Sequence, residues 1–443
     1  MTGDKICSTV LKEIVPGEGE KKALLEFAEH IISRIDEAAK ELGVDAHGLL
    51  VGSVAKGTWI SGDLDLDIFI MLPETISEEE MESLGLQIAK RVATKYEERY
   101  AEHPYLKAFF GGYAVDLVPC FSVSNPASIK SAVDRTPFHN EYIKARINGL
   151  ENEVRLLKQF MKGIGVYGAE LRTMGFSGYL CELLVLKYGS FLNVLQSAKG
   201  WRRGVIIGIE DHKGHEHDAP LVVIDPVDPS RNVAAAVSLD KFCMFIDVSR
   251  TFLKTPDISF FFPPEVKPMT DDELVDELKQ RGMDVFAIVF KAPDVVDDVL
   301  YPQLYKALKS IEELLHRNDF RVFHGDVWSN SNSVILLEME IARLPPIKMH
   351  MGPPVESVTH AEKFKAKHAN CHPYIRSGRY AVEIPRKYAD VNALLKSELQ
   401  TCSLGKHVSE AIENGYRVLK NAQIIKIDDE EFRVFLRKYF RKR

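Results

Sequence analysis

The spacing of apolar residues changes from helical to alternating early in the chain. In residues 21–42 apolar side chains recur every three or four positions and Gly43 follows, which predicts an amphipathic helix ending at that glycine. Residues 49–51 predict a short buried strand. Aspartates then alternate with apolar residues over positions 63–68, so a strand there would carry its aspartates on one face. Because like charges at that spacing repel, we expect a cationic partner.

A second helix and a hairpin are predicted next. A capping box formed by Ser77 and Glu80 begins a helix that we expect to end near Glu98. Residues 105–110 and 113–118 are predicted strands on either side of a Gly-Gly pair, which suits a two-residue hairpin turn. The first predicted helix is therefore expected to pack on a sheet.

Asp116 is the only charged residue in its predicted strand. A buried carboxylate without a partner costs several kcal/mol, so it should contact a cation or a hydrogen-bond donor. If the hairpin lies beside the strand of Asp65 and Asp67, three carboxylates converge, and such oxygen ligands suit Mg²⁺. The Gly52-Ser53 turn between a strand and a helix is typical of phosphate-binding concavities, although it is a weak signal alone.

The middle of the chain is rich in predicted helices. One helix spans residues 151–162 and carries Arg155, Lys158 and Lys162 on a shared face, which on periodicity alone could equally be a solvated face. Ser177 is expected to cap an apolar helix that continues to about residue 195. Ser238 is expected to start another helix.

Two predicted strands, 205–209 and 221–224, enclose a loop with three histidines. A metal site formed by His212, His215 and His217 is one interpretation. A solvated hairpin tip around Gly214 is the one we favour. The aromatic and proline-rich segment 260–264 is a candidate linker.

Beyond the linker, a βαββ order predicts an α+β domain with an antiparallel sheet. The predicted strands are 285–290, 320–323, 334–341 and 380–384, and the predicted helices are 271–280, 301–315, 392–399, 407–419 and 430–440.

Composition narrows the class of protein. The chain has 443 residues, 45% of them hydrophobic and 27% charged, which is typical of a globular protein with several domains. It has no apolar run of about 18 residues and no cleavable leader, so neither membrane insertion nor export is indicated and a cytoplasmic location is expected. Six scattered cysteines without a Cys-x-x-Cys pair argue against a zinc ribbon or a disulfide framework.

Charge leaves room for a polyanionic partner. The net charge of −7 does not by itself favour nucleic-acid binding, but basic residues are clustered locally. Arg202-Arg203 and Arg386-Lys387 are therefore candidate contacts for such a partner.

The Gly-Ser turn and the carboxylates resemble the DNA polymerase β-like nucleotidyltransferase superfamily. Its signature is a Gly-Ser turn, an Asp-x-Asp motif about a dozen residues later and a third carboxylate on a later strand. The matching residues here are Gly52-Ser53, Asp65-Leu-Asp67 and Asp116. The resemblance implies nucleotidyl transfer with two metal ions, one activating an attacking hydroxyl and the other steadying the triphosphate and the leaving pyrophosphate.

Longer motifs resemble the archaeal-type (class I) CCA-adding enzymes over roughly residues 50–305. They comprise residues 100–105, 130–139, 152–158, 167–170, 175–183, 225–234 and 293–303. The resemblance implies template-independent addition of C, C and A to the 3′ end of tRNA from CTP and ATP. With tRNA as the substrate, Arg202, Arg203, Arg386 and Lys387 become possible tRNA-binding residues.

The resemblance also implies roles for individual residues. It makes Asp65, Asp67 and Asp116 the catalytic Mg²⁺ ligands, and it leaves Asp63, at a variable position, outside the metal set. The implied nucleotide ligands are Ser53 and Lys56 for phosphate, His139, Lys158 and Tyr167 for triphosphate or ribose, and Arg231 for base selection. Lys56 stands where some relatives carry arginine, which offers a fork rather than a point charge.

Bland alternatives remain for several of these residues. Asp116 could be a paired aspartate, His139 a structural histidine, Tyr167 a packing residue and Arg231 a local partner of Asp225 or Asp228. These alternatives predict contacts that the structure can test.

The expected fold is an α+β multidomain protein. It comprises a polymerase β-like nucleotidyltransferase palm at 1–137, a helix-rich central nucleotide-binding domain at 138–263, and an α+β region at 264–443 that embraces the tRNA acceptor and T arms. A homodimer is one expectation for its assembly. The alternatives for function are another RNA nucleotidyltransferase of the superfamily, such as a poly(A) polymerase, or a non-catalytic RNA-binding protein.

Overall fold

The protein is described from a computed structural model, which covers residues 3–100, 103–125, 128–131, 133–210 and 218–441. The chain forms two compact units, Met1–Pro264 and Glu265–Arg443. None of the helices in these described ranges is both long enough and apolar enough to cross a bilayer. The predicted boundary near residue 137, inside the first unit, stays a prediction.

A five-stranded mixed sheet organises the first half of the first unit. Its elements are α1 (Gly3–Ile14), α2 (Glu18–Leu42), β1 (His47–Val51), α3 (Gly52–Ala55), β2 (Asp65–Pro73), α4 (Glu78–Val92), β3 (Tyr96–Tyr100), β4 (Pro104–Phe110) and β5 (Tyr113–Ser122). The strand order is β1-β2-β5-β4-β3, in which β2 and β5 are parallel and the other pairs are antiparallel.

Alternation along β2 separates its core face from its polar face. Leu66 and Ile68 pack with α2 and α4 in one hydrophobic core, whereas Phe69 and Met71 point to the other face. Asp65 and Asp67 share that second face at the start of the strand, as predicted.

Two boundaries in this region differ from the predictions. The capping box of Ser77 and Glu80 is present, but α4 ends at Val92 rather than near Glu98. Residues 96–100 form the edge strand β3 instead, which pairs with β4 and has no fully buried residue. The strand β2 begins at Asp65, so Asp63 lies outside it and pairs with Lys162 at 2.9 Å.

Helices dominate the second half of the first unit. Its elements are α5 (Arg135–Lys144), α6 (Glu151–Gly163), α7 (Gly178–Tyr188), α8 (Phe191–Ala198), β6 (Val205–Gly208), β7 (Leu221–Ile224) and α9 (Leu239–Lys254). A cluster of phenylalanines on α6, α8 and α9 fills the core. The predicted helix 177–195 is two helices, because Gly189 in a left-handed conformation ends α7 and Ser190 caps α8.

The predicted hairpin between residues 205 and 224 is wrong. Strands β6 and β7 pair in parallel, whereas the two strands of a hairpin are antiparallel. The histidines His212, His215 and His217 lie outside the described residues.

The second unit contains two antiparallel sheets. Its elements are α10 (Asp271–Arg281), β8 (Asp284–Lys291), α11 (Asp297–Arg317), β9 (Arg321–Ser329), β10 (Asn332–Ile341), β11 (Ile347–Pro354), α12 (Val358–Lys367), β12 (Tyr374–Arg376), β13 (Arg379–Pro385), α13 (Val391–Glu398), α14 (Lys406–Glu413), β14 (Tyr416–Lys420) and α15 (Glu430–Arg441). The strand orders are β14-β8-β10-β9 and β11-β13-β12.

The α+β prediction for this unit is confirmed, with one element misassigned. The predicted helix 407–419 ends at Glu413, and Gly415, at φ 131°, turns the chain into strand β14. This strand pairs with β8, so sheet pairing overrides the helical periodicity.

Candidate active site

Strand register brings the predicted aspartates together. In the parallel pair of β2 and β5, Asp67 lies directly opposite Asp116, and Asp65 is two residues earlier on the same face. Val51, the last residue of β1, lies opposite Asp67 on its other side. We call Asp65, Asp67 and Asp116 the aspartate bay.

The turn after β1 is built against this bay. Gly52 has φ 73°, and a Cβ atom there would lie 2.0 Å from Asp67 Oδ2. Only glycine therefore allows the backbone to pass so close to the carboxylate. Ser53 follows in the first turn of α3, half-buried, so the Gly-Ser turn and the aspartates form one site.

The aspartate bay is short of hydrogen-bond donors. Asp116 Oδ1 is buried and has no hydrogen-bond partner. Burial, reinforced by the negative charge of Asp67 and opposed by Lys107, raises the pKa of Asp116 to about 6. Burial also raises the pKa of Asp67, against the opposing charge of Lys56. Both carboxylates therefore lie where an additional cation would be favourable.

Lys107 is the cation that sequence reasoning missed. Its Nζ lies 3.6 Å from Asp65 Oδ1 and 3.8 Å from Asp116 Oδ1. The signal was available, because the two-residue turn at 111–112 fixes the hairpin register and places Lys107 opposite Asp116. One lysine cannot balance three carboxylates.

The donor set of the bay suits a hard metal ion. Three carboxylates, one with an orphaned oxygen, are the oxygen ligands that Mg²⁺ prefers. Among the described residues, a trio of ligand atoms within 4.8 Å of one another occurs at Glu78, Glu82 and His103, outside the bay.

A second group of charges lies around Glu182 on α7. Lys56 Nζ, at the end of α3, donates a hydrogen bond of 2.6 Å to this carboxylate. Lys158 Nζ, on α6, lies 3.6 Å from it, and Thr58 Oγ1 donates to it at 2.7 Å. We call Lys56, Thr58, Lys158 and Glu182 the lysine cluster.

The lysine cluster is buried, so Lys158 does not lie on a solvated helix face. Its residue is 3% exposed, and burial lowers its pKa while Glu182 opposes the shift. Burial acts to raise the pKa of Glu182, but Lys56 and Lys158 outweigh it and hold that pKa below its ordinary value. Arg155, from the same predicted stripe, is also buried and donates to the carbonyl oxygens of Gly57 and Trp59.

Tyr167 lies next to the lysine cluster. A Cβ atom at Gly178 would lie 3.1 Å from the Tyr167 hydroxyl and 3.6 Å from Lys158 Nζ, so the two groups share one place beside Gly178. Lys162 Nζ lies 5.4 Å from the ring centre of Tyr167. Burial raises the pKa of Tyr167, which therefore stays a neutral hydrogen-bonding group. The ring also packs against the core, as the packing alternative predicted.

His139 and Arg231 both form hydrogen bonds with Asp225, and together they belong to a third group. The buried carboxylate accepts hydrogen bonds from His139 Nε2 at 2.9 Å, Arg231 Nη1 at 2.8 Å and Tyr179 Oη at 3.0 Å. The His139 ring stacks on Tyr179 with centroids 4.1 Å apart. We call these four residues the Asp225 cluster.

Hydrogen bonding dominates the electrostatics of the Asp225 cluster. Burial would raise the pKa of Asp225, but hydrogen bonds from His139, the Val227 N–H and Arg231 lower it to about 2. The local pairing of Arg231 that the bland alternative predicted is present, and 38% of the arginine side chain remains exposed. Sequence reasoning did not single out Tyr179.

Family models match three segments of the chain. Residues 32–139 match the nucleotidyltransferase domain, residues 152–262 the second domain of tRNA nucleotidyltransferase, and residues 281–421 the C-terminal domain of the CCA-adding enzyme. The CCA-adding enzyme of Methanosarcina acetivorans is 50% identical over 439 residues, covering 97% of each chain. That of Archaeoglobus fulgidus is 39% identical over 432 residues, covering 96% of this chain and 97% of the relative.

The chain belongs to the archaeal CCA-adding enzymes. It is therefore a tRNA nucleotidyltransferase, and the resemblance noted in the sequence is confirmed at the level of the family. Among solved structures, E. coli CdnC with ATP has a TM-score of 0.44 at 17% identity, covering 59% of this chain and 95% of that one. The Cid1 poly(U) polymerase with Mg 3′-dATP has the same TM-score at 15% identity, covering 56% of this chain and 92% of that one.

The groups of this CCA-adding enzyme fall in two of the matched segments. The aspartate bay, Lys56 and His139 lie in the segment of the nucleotidyltransferase domain, and Lys158, Tyr167 and Arg231 lie in that of the tRNA nucleotidyltransferase second domain.

The basic pairs predicted to contact tRNA differ in their surroundings. Arg202 and Arg203 are exposed beside the buried Trp201 and form no ion pair within the described ranges. Arg386 donates to Asp319, and Lys387 pairs with Glu398 at 2.6 Å. The second pair is thus already neutralised by carboxylates.

Proposed function

We propose that the aspartate bay is the catalytic centre at which this enzyme adds C, C and A to the 3′ end of tRNA by two-metal nucleotidyl transfer from CTP and ATP. The activity follows from the family, and it makes a poly(A) polymerase or a non-catalytic RNA-binding protein the weaker alternatives. The observation that supports the centre is the register of Asp67 against Asp116, with the Gly-Ser turn held against Asp67.

Asp65, Asp67 and Asp116 would hold Mg²⁺ in this proposal. The bound ions would polarise the attacking hydroxyl and neutralise charge on the triphosphate. The chain itself contributes the preorganised carboxylates, and Lys107 neutralises part of their charge before substrate binds.

The Gly-Ser turn and the lysine cluster would bind the triphosphate. Ser53 offers a hydroxyl and a backbone N–H at the start of α3, which suits an anion. When both ammonium groups are protonated, Lys56 and Lys158 carry two positive charges against the single negative charge of Glu182, which leaves one positive charge for phosphate. Tyr167, beside them, would donate its hydroxyl proton to phosphate or ribose.

The Asp225 cluster would orient the groups that recognise the rest of the nucleotide. Arg231 is donor-only and would favour the acceptor-rich edge of cytosine. His139, held by Asp225 and stacked on Tyr179, would contact the triphosphate or ribose. Selection of ATP for the last step would depend also on the two cytidines already added to the tRNA.

The second unit would bind the tRNA acceptor and T arms through Lys and Arg contacts with phosphates. Such binding weakens as salt concentration rises. A homodimer stays a prediction, which sedimentation of the purified chain would test.

The deciding experiment incubates the protein with Mg²⁺ and a tRNA that ends before CCA. The reaction receives CTP alone, ATP alone or both, and the products are separated at single-nucleotide resolution. We expect two additions with CTP and a third only when both nucleotides are present. Repeated ATP addition to many RNAs would instead identify a poly(A) polymerase, and the absence of any addition would leave RNA binding as the function.

A further inference from the structure

Glu182 is a fully buried carboxylate for which the proposed reaction has no direct use. It is 0% exposed, and its two oxygens accept hydrogen bonds from Lys56 Nζ at 2.6 Å and Thr58 Oγ1 at 2.7 Å. Lys158 Nζ donates to Thr58 Oγ1 at 3.2 Å and lies 3.6 Å from the carboxylate. Burying an ionic group of this kind seldom adds stability over apolar packing, so another role is expected.

The group joins three segments that are distant in sequence. Lys56 follows the Gly-Ser turn at the end of α3, Lys158 lies on α6 and Glu182 lies on α7. Lysine side chains are flexible, and a point charge has no fixed direction of its own. A shared carboxylate gives both ammonium groups a fixed position.

We infer that Glu182 is a positioning residue that holds Lys56 and Lys158 in place for the triphosphate. This inference rests on the proposed function, because only there are the two lysines triphosphate ligands. Glu182 acts through the lysines and is not itself a ligand, since a carboxylate would repel phosphate.

The charged and titratable groups around Lys158 predict a pH signature. They are Glu182 and Cys181 on α7, Lys56 at the end of α3, the hydroxyl of Tyr167, which lies with Lys158 Nζ beside Gly178, and Asp67 on β2. Burial and Lys56 favour the neutral lysine, whereas the charge of Glu182 favours the ammonium form. Without that charge, Lys158 loses its proton more readily as the pH rises.

The test compares the full-length wild type with Glu182→Gln. The dissociation constants of inorganic tripolyphosphate and of CTP are measured with Mg²⁺ at pH 7 and pH 9 by titration calorimetry. We expect both constants to rise roughly 10- to 100-fold in the variant at pH 7, as for loss of a charged hydrogen bond. The ratio of variant to wild type should widen further at pH 9.

A matched control is available in the second unit. Glu338 is also 0% exposed and accepts hydrogen bonds from Arg281 Nε at 2.5 Å and Nη2 at 3.0 Å. Glu338→Gln removes an equally buried charge that makes no contact with Lys56 or Lys158 among the described ion pairs and hydrogen bonds, so it should bind tripolyphosphate and CTP as the wild type does at both pH values. An equal loss in both variants would overturn the positioning role.

Three further outcomes are decisive. Wild-type affinities in Glu182→Gln at both pH values would overturn the inference. If that variant does not fold, Glu182→Asp keeps the charge but withdraws it by one methylene, and we expect roughly a threefold rise or more in both constants; unchanged affinity there would overturn the inference too. A wild type that binds tripolyphosphate but does not extend tRNA would contradict the proposed function alone.

Discussion

Asp116 in the aspartate bay is largely buried and Asp225 in the Asp225 cluster is fully buried, but the two carboxylates have very different numbers of hydrogen-bond donors. Asp116 has a buried oxygen without a hydrogen-bond partner, and its pKa is raised to about 6. Asp225 accepts hydrogen bonds from three side chains and a backbone N–H, and its pKa is lowered to about 2.

This difference distinguishes a site that awaits a ligand from one that orients its neighbours. An undersupplied carboxylate, meaning one with too few hydrogen-bond donors, is stabilised when a cation binds, so the bay is suited to metal binding. A saturated carboxylate has little left to offer a ligand, and its effect is to fix His139 and Arg231. The lysine cluster lies between these cases, since it has one positive charge in excess.

The largest expected effect is on catalysis at the undersupplied site. Asp67→Asn or Asp116→Asn should lower CMP incorporation roughly 10³-fold or more, because several kcal/mol of metal-dependent stabilisation are lost. Binding of tRNA should stay nearly unchanged in a filter assay, since these residues are not among the basic candidates for phosphate contact.

Asp63→Asn is the matched control for this loss. Asp63 lies two residues before Asp65, but it is outside β2 and pairs with Lys162. Its replacement should leave incorporation within a few fold of wild type. Retained turnover in Asp116→Asn would remove that residue from the metal site.

The next largest effect is on stability, and here the mutation Asp116→Asn should raise the free energy of unfolding rather than lower it. In Asp116→Asn, the metal-free protein should be more stable than the wild type at pH 8 by about 3 kcal/mol, since a pKa raised from 3.8 to about 6 means that ionisation disfavours the fold. The gain should be absent below about pH 4 and grow as the pH rises to 6. Urea unfolding measures it.

Magnesium should make the wild type more stable than Asp116→Asn, the reverse of the order in the metal-free proteins. Added Mg²⁺ should stabilise the wild type at pH 8 and have little effect on Asp116→Asn, because only the former retains the third carboxylate. If Mg²⁺ does not stabilise the wild type, the bay carboxylates do not bind a cation in place of their missing hydrogen-bond donors.

Sequence patterns predicted most of what defines the bay. The alternation around Asp65 and Asp67 gave their shared face, and the Gly-Gly turn gave the strand of Asp116. The parallel pairing of β2 with β5 was less accessible, because it joins segments separated by α4 and an unpredicted edge strand. Local periodicity does not say which distant strands become neighbours.

The lysine cluster and the Asp225 cluster were harder to predict, because their contacts depend on which side chains tertiary packing buries. The stripe containing Lys158 has the spacing of a solvated helix face, and only tertiary packing shows that it lies inside beside Glu182. Tyr179 gains its importance from contacts with His139 and Asp225, which come from different segments. For Arg231, the sequence left the local partner open between Asp225 and Asp228, and it did not show that His139 shares Asp225.

In the Asp225 cluster, whose carboxylate already has its hydrogen-bond donors, mutation should destabilise the protein. Asp225→Asn should lower the free energy of unfolding at pH 7 by about 2 kcal/mol, since the wild-type pKa of about 2 lies below the ordinary 3.8. The wild-type advantage is fully present above about pH 5 and is lost as the pH falls towards 2. Urea unfolding at pH 7 and pH 3 would show the two proteins converging.

The same variant should also affect nucleotide choice. With Arg231 and His139 no longer held by a charged carboxylate, KM for CTP should rise more than that for ATP. An Asp225→Asn protein with unchanged stability and selectivity would show that the cluster is only local packing.

The smallest expected effect extends the comparison to the basic pairs. Arg202 and Arg203 are exposed and form no ion pair in the described part of the chain, whereas Arg386 and Lys387 each face a carboxylate. The double change Arg202→Ala/Arg203→Ala should therefore weaken tRNA binding severalfold. It should also reduce the slope of log K against log salt concentration by roughly 1 to 2, as expected for one or two lost phosphate contacts.

Arg386→Ala/Lys387→Ala should change affinity and slope less, because Asp319 and Glu398 already neutralise those side chains. Filter binding at several salt concentrations measures both quantities. The reverse order would mean that tRNA displaces the carboxylates, so that pairing in the free protein does not predict which basic residues contact phosphate.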